Sequence, residues 1–153
     1  FLGNHPARVE TGYRMSFWLF KSEPDGWSWD QQVAKGALGE EWTGVRNYQA
    51  RNNMRAMIPG DLGFFYHSNI GKQIVGIVEV IRASAPDSTT DDPRWDCVTI
   101  KAVKPMTRPL TLDAVKSDPM LSEMALVKSM RLSVQPVTEA EWAHILTITG
   151  TTL

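Results

Sequence analysis

The sequence predicts a mixed α+β domain, a small and strongly curved sheet or barrel flanked by short helices. Three observations carry that expectation. Five or six runs rich in aromatic and β-branched residues are separated by clusters of Gly, Pro, Asn, Asp and Ser, the pattern of short strands joined by tight turns. Two capping-box spacings, Ser28 with Gln31 and Thr138 with Glu141, open helical patterns placed irregularly between the strands, which argues against a β-α-β doubly wound sheet. The 153 residues, 42% of them hydrophobic, suit one domain with one core.

Residues 1–14 show no period, whereas Met15 opens a strongly patterned stretch. The domain is therefore expected over residues 15–150, with 1–14 an N-terminal extension, native or left by cloning. The aromatic run 16–21 reads as a buried strand stopped by the turn Glu23-Pro24-Asp25-Gly26. A short helix follows from Trp29 to about Lys35, and a loop with Gly39 leads to Trp42. A second helix starts at about Asn47. Its spacing puts Asn47, Arg51 and Arg55 on one face and Ala50, Met54 and Met57 on an apolar stripe beside it. After the Pro59-Gly60-Asp61 turn, residues 62–67 form a strand, and residues 68–72 turn the chain into a β-branched central strand over 73–81. Gly76 inside that strand marks a bend or a close approach. Residues 84–93 read as an exposed loop and 95–104 as a strand bracketed by Pro93 and Pro105. Thr111 caps a helix to about Lys116, Asp118-Pro119 begins a one-turn segment, and 132–137 form a short last strand. Trp142, Ile145 and Leu146 then line a final helix that stops before Gly150.

The net charge of -1, from 16 Lys+Arg against 17 Asp+Glu, gives no global attraction to nucleic acid, so any such binding is local, with few phosphate contacts and a shallow salt dependence. One cysteine, Cys97, excludes an internal disulfide and fits a reducing compartment; with no signal-peptide pattern and no apolar run long enough to span a membrane, a cytoplasmic protein without membrane partners is expected. The phosphate-binding glycine motifs and the nucleophile elbow of hydrolases are missing. His5, His67 and His144 are too scattered for a metal motif, and mid-strand Cys97 suits a core position better than a nucleophile's, so no metal, cofactor or catalytic residue is assigned.

Polar residues gather instead at strand ends. Lys21-Ser22-Glu23 ends the first strand, His67-Ser68-Asn69 ends a later one, and Trp42, Arg46 and Asn47 lie between them in sequence. Brought together, they would form an aromatic-walled pocket suited to a flat polar heterocycle, with the indole stacking on its face and Ser and Asn reading its edge. The competing reading makes Trp42 a core residue, Asn47 a helix cap and the other polar residues turn formers.

The motifs K-S-E-P, W-x-G-V-R-N-Y-Q-A-R-N, G-D-L-x-F-F-Y-H-S-N, I-V-G-I-x-E-V and R-L-S-V-x-P-V-T-x-x-E-W, in that order from Phe17 to Ile148, resemble the EVE domain family. The resemblance implies a PUA-like small β-barrel, related to YTH and SRA domains, and a non-enzymatic module that reads a modified nucleobase by base flipping, modified cytosine in DNA being the usual proposal. It carries Lys21, Ser22 and Glu23 to the pocket floor, Trp42 to a stacking wall, Arg46 and Asn47 to base-edge or phosphate contacts, and His67, Ser68 and Asn69 to the rim. Arg51, Arg131 and Ser133 follow as backbone contacts. The implied partners are DNA or RNA carrying a modified base, such as 5-methylcytosine, and an effector protein that supplies an output. The segment from Ala83 to Trp95 is shorter than in many relatives, which shortens one wall of the groove. Other readings are an RNA-modification reader, a small-molecule or nucleotide-binding domain, and an enzyme with Glu23 or His67 as its acid or base.

Overall fold

The computed structural model describes residues 15–153; the expected extension over 1–14 lies outside them. Among the described residues six strands form one sheet in the order β2-β5-β4-β3-β1-β6. The strands are β1 (Phe17–Ser22), β2 (Glu40–Glu41), β3 (Leu62–His67), β4 (Gln73–Pro86), β5 (Asp96–Thr111) and β6 (Val134–Val137). The α-helices among the described residues are α1 (Trp29–Ala34), α2 (Tyr48–Ala56), α3 (Leu112–Ser117), α4 (Ala125–Lys128) and α5 (Glu139–Thr149), with 3-10 turns at Gly36–Leu38 and Pro119–Leu121. Only β1 and β3 pair in parallel; the other neighbours are antiparallel.

Period-2 alternation splits the apolar residues between the two faces of this sheet. On one face Trp18 and Phe20 of β1, Phe65 of β3, Val78 and Val80 of β4 and Val98 and Ile100 of β5 pack with Trp29 of α1 and with Ala50 and Met54 of α2. On the other, Leu19, Phe64, Tyr66, Ile74, Ile77 and Met106 pack with Val115 of α3, Leu121, and Trp142 and Ile145 of α5. The single core expected from composition is thus two apolar layers with the sheet between them.

Helix α2 packs on both β5 and β6, which stand near opposite edges of the strand order, so the sheet must curl around it. Three side chains of the helix make the link. Asn53 Nδ2 donates to the Val134 carbonyl of β6 at 2.7 Å, Arg51 Nη1 to the Arg94 carbonyl at 2.9 Å, and Arg55 pairs with Asp96 of β5. The asparagines that weaken this helix by intrinsic propensity therefore have other work: Asn47 is its N-cap, accepting from Ala50 N–H at 2.9 Å, and Asn53 ties it to β6.

The sequence pattern misplaced four features. Strand β4 runs through Ala83 to Pro86, and β5 continues past Pro105 to Thr111, so the exposed loop expected over 84–93 starts only at Asp87. The end of β4 is intermediate to exposed and lacks apolar alternation, and past Pro105 only Met106 and Leu110 of β5 are buried, too sparse a pattern to mark a strand. Pro105 is tolerated because the ladder shifts register where it meets Gly76. Strand β2 is two residues long and α4 four, too short to show a period. Gly76 has the close approach expected of it, from a side chain: a Cβ there would lie 2.4 Å from the Trp29 ring.

Candidate nucleobase-binding site

The site begins at the end of β1. Ser22, 7% exposed, donates its hydroxyl to the Trp27 carbonyl, and the Glu23 carbonyl accepts from Gly26 N–H and Trp27 N–H, both at 2.9 Å. This tight turn brings the Trp27 indole back over the strand end. Helix α1 then fixes the ring. Its capping box at Ser28 and Gln31 sets the helix start, which buries Gln32 completely. Gln32 Oε1 accepts from Trp27 Nε1 at 2.9 Å while its Nε2 donates to the Ile100 carbonyl at 3.1 Å. The indole N–H is thereby satisfied within the protein, and half-buried Trp27 presents the rest of its ring to a cavity of about 550 Å³.

That cavity is walled on its far side by the segment from Glu40 to Arg46, with Lys21, Ser22, Glu23 and Ser133 completing it. The segment is held by backbone and carboxylate contacts. Trp42 N–H donates to the Val98 carbonyl at 2.8 Å. Gly44, at φ 83, adopts the left-handed region that favours glycine, and its N–H donates to Asp87 Oδ2 at 2.9 Å. Arg46 Nη1 donates to the same oxygen at 3.1 Å. Asp87 is 1% exposed; burial alone would raise its carboxyl pKa, but hydrogen bonds from Thr89, Gly44 and Arg46 outweigh that and hold it at about 2.

The electrostatics are mixed. Glu41 pairs with Arg82 at 2.8 Å and accepts from Ser88, which keeps its pKa low, and Glu40 pairs with Lys35 at 3.4 Å. Lys21 donates to the Met130 carbonyl, and burial pushes its pKa down. Glu23 forms no ion pair among the described residues and stands at the cavity as an acceptor. Such a space can take a flat heterocycle between indoles and offer both donors and acceptors to its edge. No group of three metal-binding side chains occurs among the described residues, and no helix there is long and apolar enough to cross a membrane.

The profile of the EVE domain matches residues 16–148. The chain belongs to the EVE domain family. The solved structure of protein Atu2648 from Agrobacterium tumefaciens is 61% identical over 89% of this chain and 94% of that one, with a TM-score of 0.88. The human THYN1 protein, crystallised in complex with 5-methylcytosine-containing DNA, is 33% identical over 90% of this chain and 99% of that one, with a TM-score of 0.82. A YTH domain of the Zygosaccharomyces rouxii MRB1 protein, in complex with N6-methyladenosine RNA, gives a TM-score of 0.54 at 15% identity, covering 92% of this chain and 90% of that one. That likeness shows the fold alone, and it agrees with the PUA-like α+β class.

In this EVE domain, Lys21, Ser22, Glu23, Trp42, Arg46 and Ser133 all line the cavity, whereas six other nominated residues do not. Asn47 is spent as the α2 cap and, with Arg131, lines a separate cleft of about 350 Å³. Arg51 lies on the outer face of α2, bonded to Asn52 and the Arg94 carbonyl. His67 Nε2 accepts from Trp29 N–H at 3.0 Å, and burial lowers its pKa, so it caps α1 as a neutral imidazole. Ser68 and Asn69 enter a hairpin turn, with Asn69 at φ 66. Trp42 is a wall of limited access: it is 8% exposed and packs edge-to-face on Phe20 and Phe65, with centroids at 5.4 and 5.8 Å. The more open indole is Trp27, which sequence reasoning passed over. Its only signal was a large aromatic just after a Pro-Asp-Gly turn, where nothing in a strand or helix period calls for one. Asp87 was hidden by the expectation of an exposed loop.

Proposed function

We propose that this EVE domain is a non-catalytic reader that takes one extruded base, 5-methylcytosine in DNA, into the cavity between the end of β1 and the segment from Trp42 to Arg46. The observation that carries this reading is a convergence. Two motifs twenty residues apart in sequence, Lys21-Ser22-Glu23 and Trp42 with Arg46, line one cavity in a chain that is 33% identical to a protein crystallised with 5-methylcytosine-containing DNA. In this reading Trp27 supplies the main stacking face and Trp42 closes the wall. Glu23 accepts from the exocyclic amine of cytosine, the pairing that a carboxylate makes with that base. Of the two acid or base candidates, His67 is outside the cavity with its Nε2 already engaged, which supports binding without chemistry and leaves any downstream output to a partner protein.

Extruding a base costs a few kcal/mol, which stacking of ~1–3 kcal/mol and edge hydrogen bonds must offset. Burying one methyl group adds about 0.8 kcal/mol, roughly fourfold in affinity. Selectivity for the methylated base is therefore modest unless the cavity also rejects its competitors. The test is a titration of the chain against matched DNA and RNA oligonucleotides carrying cytosine, 5-methylcytosine, 5-hydroxymethylcytosine or N6-methyladenine, with Trp27→Ala in parallel. A several-fold preference for 5-methylcytosine in DNA that disappears with Trp27→Ala is expected. Equal binding of all bases, or binding indifferent to Trp27, sinks the reading, and tighter binding of the RNA set transfers it to RNA.

A further inference from the structure

A second aromatic and cationic feature starts at the edge of the cavity and plays no part in its walls. Tyr48, the first residue of α2, is 50% exposed, and its ring stacks on buried Trp95 with centroids 5.1 Å apart and planes 27° apart. The Arg51 guanidinium, one helical turn on, lies 4.9 Å from the Tyr48 centroid. It is held in place: Nε and Nη2 donate to Asn52 Oδ1 at 3.2 and 2.8 Å, and Nη1 to the Arg94 carbonyl at 2.9 Å. Arg94 in turn donates to the Tyr48 hydroxyl at 3.0 Å. The feature is continuous with the cavity through Arg46, which lines it and whose guanidinium lies 5.6 Å from the Trp95 centroid.

Charge separates the three arginines. Arg46 is neutralised by Asp87 at 3.1 Å and Arg94 by Asp92 at 2.6 Å. Arg51 has no carboxylate partner among the described residues, so its charge is the net charge of the patch. A fixed guanidinium plane beside a half-exposed tyrosine, backed by a buried tryptophan, is a surface on which a base stacks and to which a phosphate is drawn. We infer that Tyr48 and Arg51 form a second subsite for the nucleotide next to the one held in the cavity, with its base on the Tyr48–Arg51 surface and its phosphodiester on the Arg51 charge. The inference rests on the cavity reading above. It makes specific the backbone contact that the resemblance implied for Arg51, a local charge within a near-neutral composition.

The experiment compares two ligands on the full chain, free 5-methyl-2′-deoxycytidine and a short single-stranded DNA with one central 5-methylcytosine, over a range of salt. Arg51→Gln is expected to weaken the oligonucleotide about tenfold, as loss of one stacked base does. It should also lower the salt slope by about 0.7, the share of one phosphate on a single strand, and leave the nucleoside within about twofold. Arg51→Lys should keep the salt slope while recovering only part of the affinity, because it has charge without a plane. Tyr48→Ala, which removes the ring, should weaken the oligonucleotide by a similar factor while leaving the nucleoside within about twofold. The subsite is overturned if Arg51→Gln leaves oligonucleotide affinity and slope unchanged, or if it weakens both ligands equally, which would mark Arg51 as a strut of the fold. If nucleoside binding depends on Trp27 while Arg51→Gln has no effect, the subsite falls alone; if the wild type binds neither ligand, the cavity reading falls with it.

Discussion

Strands β1 and β3 run side by side in parallel, with Ser22 opposite His67, and both end in short polar clusters of similar chemistry. One cluster lines the cavity and the other does not. The difference lies in what the chain does next. After Ser22 the turn at Glu23 folds forward and delivers Trp27 and α1, leaving Lys21, Ser22 and Glu23 facing the segment from Glu40 to Arg46. After His67 the chain reverses within a few residues, through Asn69 at φ 66, Gly71 at φ 84 and Lys72 at φ 46, and returns as β4. His67 is left against the first N–H of α1, and Ser68 N–H donates to the Ser22 carbonyl at 2.9 Å. Two adjacent polar strand ends thus acquire different surroundings, one lining the cavity and one bonded into the fold, from turn geometry rather than from residue type.

The sharpest way to break this comparison is to truncate one side chain at each end. Trp27→Ala should weaken oligonucleotide binding roughly tenfold to a hundredfold, the range of one lost stacking contact of ~1–3 kcal/mol. Its cost in stability should be smaller than that of a fully buried tryptophan, because the ring is only half-buried. His67→Ala should do the reverse. It leaves the Trp29 N–H without its acceptor, which costs ~1–3 kcal/mol of stability, while affinity stays at the wild-type value. Denaturant midpoints and titrations on the same two variants decide the matter, and loss of affinity in folded His67→Ala would return that strand end to the binding site.

Most of the fold was legible in residues whose local chemistry is self-contained. Ser28 with Gln31, Asn47, Thr111 and Thr138 with Glu141 all cap helices as their spacing requires, and β3 spans the residues its pattern predicts. Of the cavity lining, the β1 end and the segment at Trp42 were legible because each is a compact motif. Trp27 and Asp87 were not. Trp27 acts through Gln32, and Asp87 through Gly44 and Arg46 more than forty residues away, so no local period reports either one. That His67, Ser68 and Asn69 lie outside the cavity was illegible for the same reason: a polar strand end looks alike whether the chain then turns forward or back.

A smaller effect separates the two ends by pH. Burial lowers the His67 pKa below its usual 6.5, so as pH falls below that value the unfolded chain takes up the proton first. Stability contributed by neutral His67 is therefore full above pH 6.5 and is lost as the pH drops through the folded-state value. Asp87 titrates in a separate window: its pKa is held down from 3.8 to about 2, so its contribution is present above pH 3.8 and fades towards pH 2. Melting temperatures between pH 7.5 and 5 should decline in the wild type and flatten in His67→Ala. Equal slopes in the two proteins would mean that His67 is not the group responsible.

The smallest expected effect is at Asn69, and it tests the comparison from the opposite direction. Asn69 is exposed and sits at φ 66, a conformation that asparagine tolerates and glycine adopts without steric strain. Asn69→Gly removes the whole amide while keeping the backbone that the hairpin needs. The relief of strain and the greater freedom of the unfolded glycine chain oppose each other, so stability should change by no more than about 0.5 kcal/mol. If the turn after β3 is structural, oligonucleotide affinity should be unchanged as well. An amide that read a base edge in a desolvated site would instead be missed by about tenfold or more, since its loss strands a hydrogen-bonding group of the ligand. A stability-neutral loss of that size in Asn69→Gly would place the β3 end back at the ligand, whatever role His67 plays beneath it.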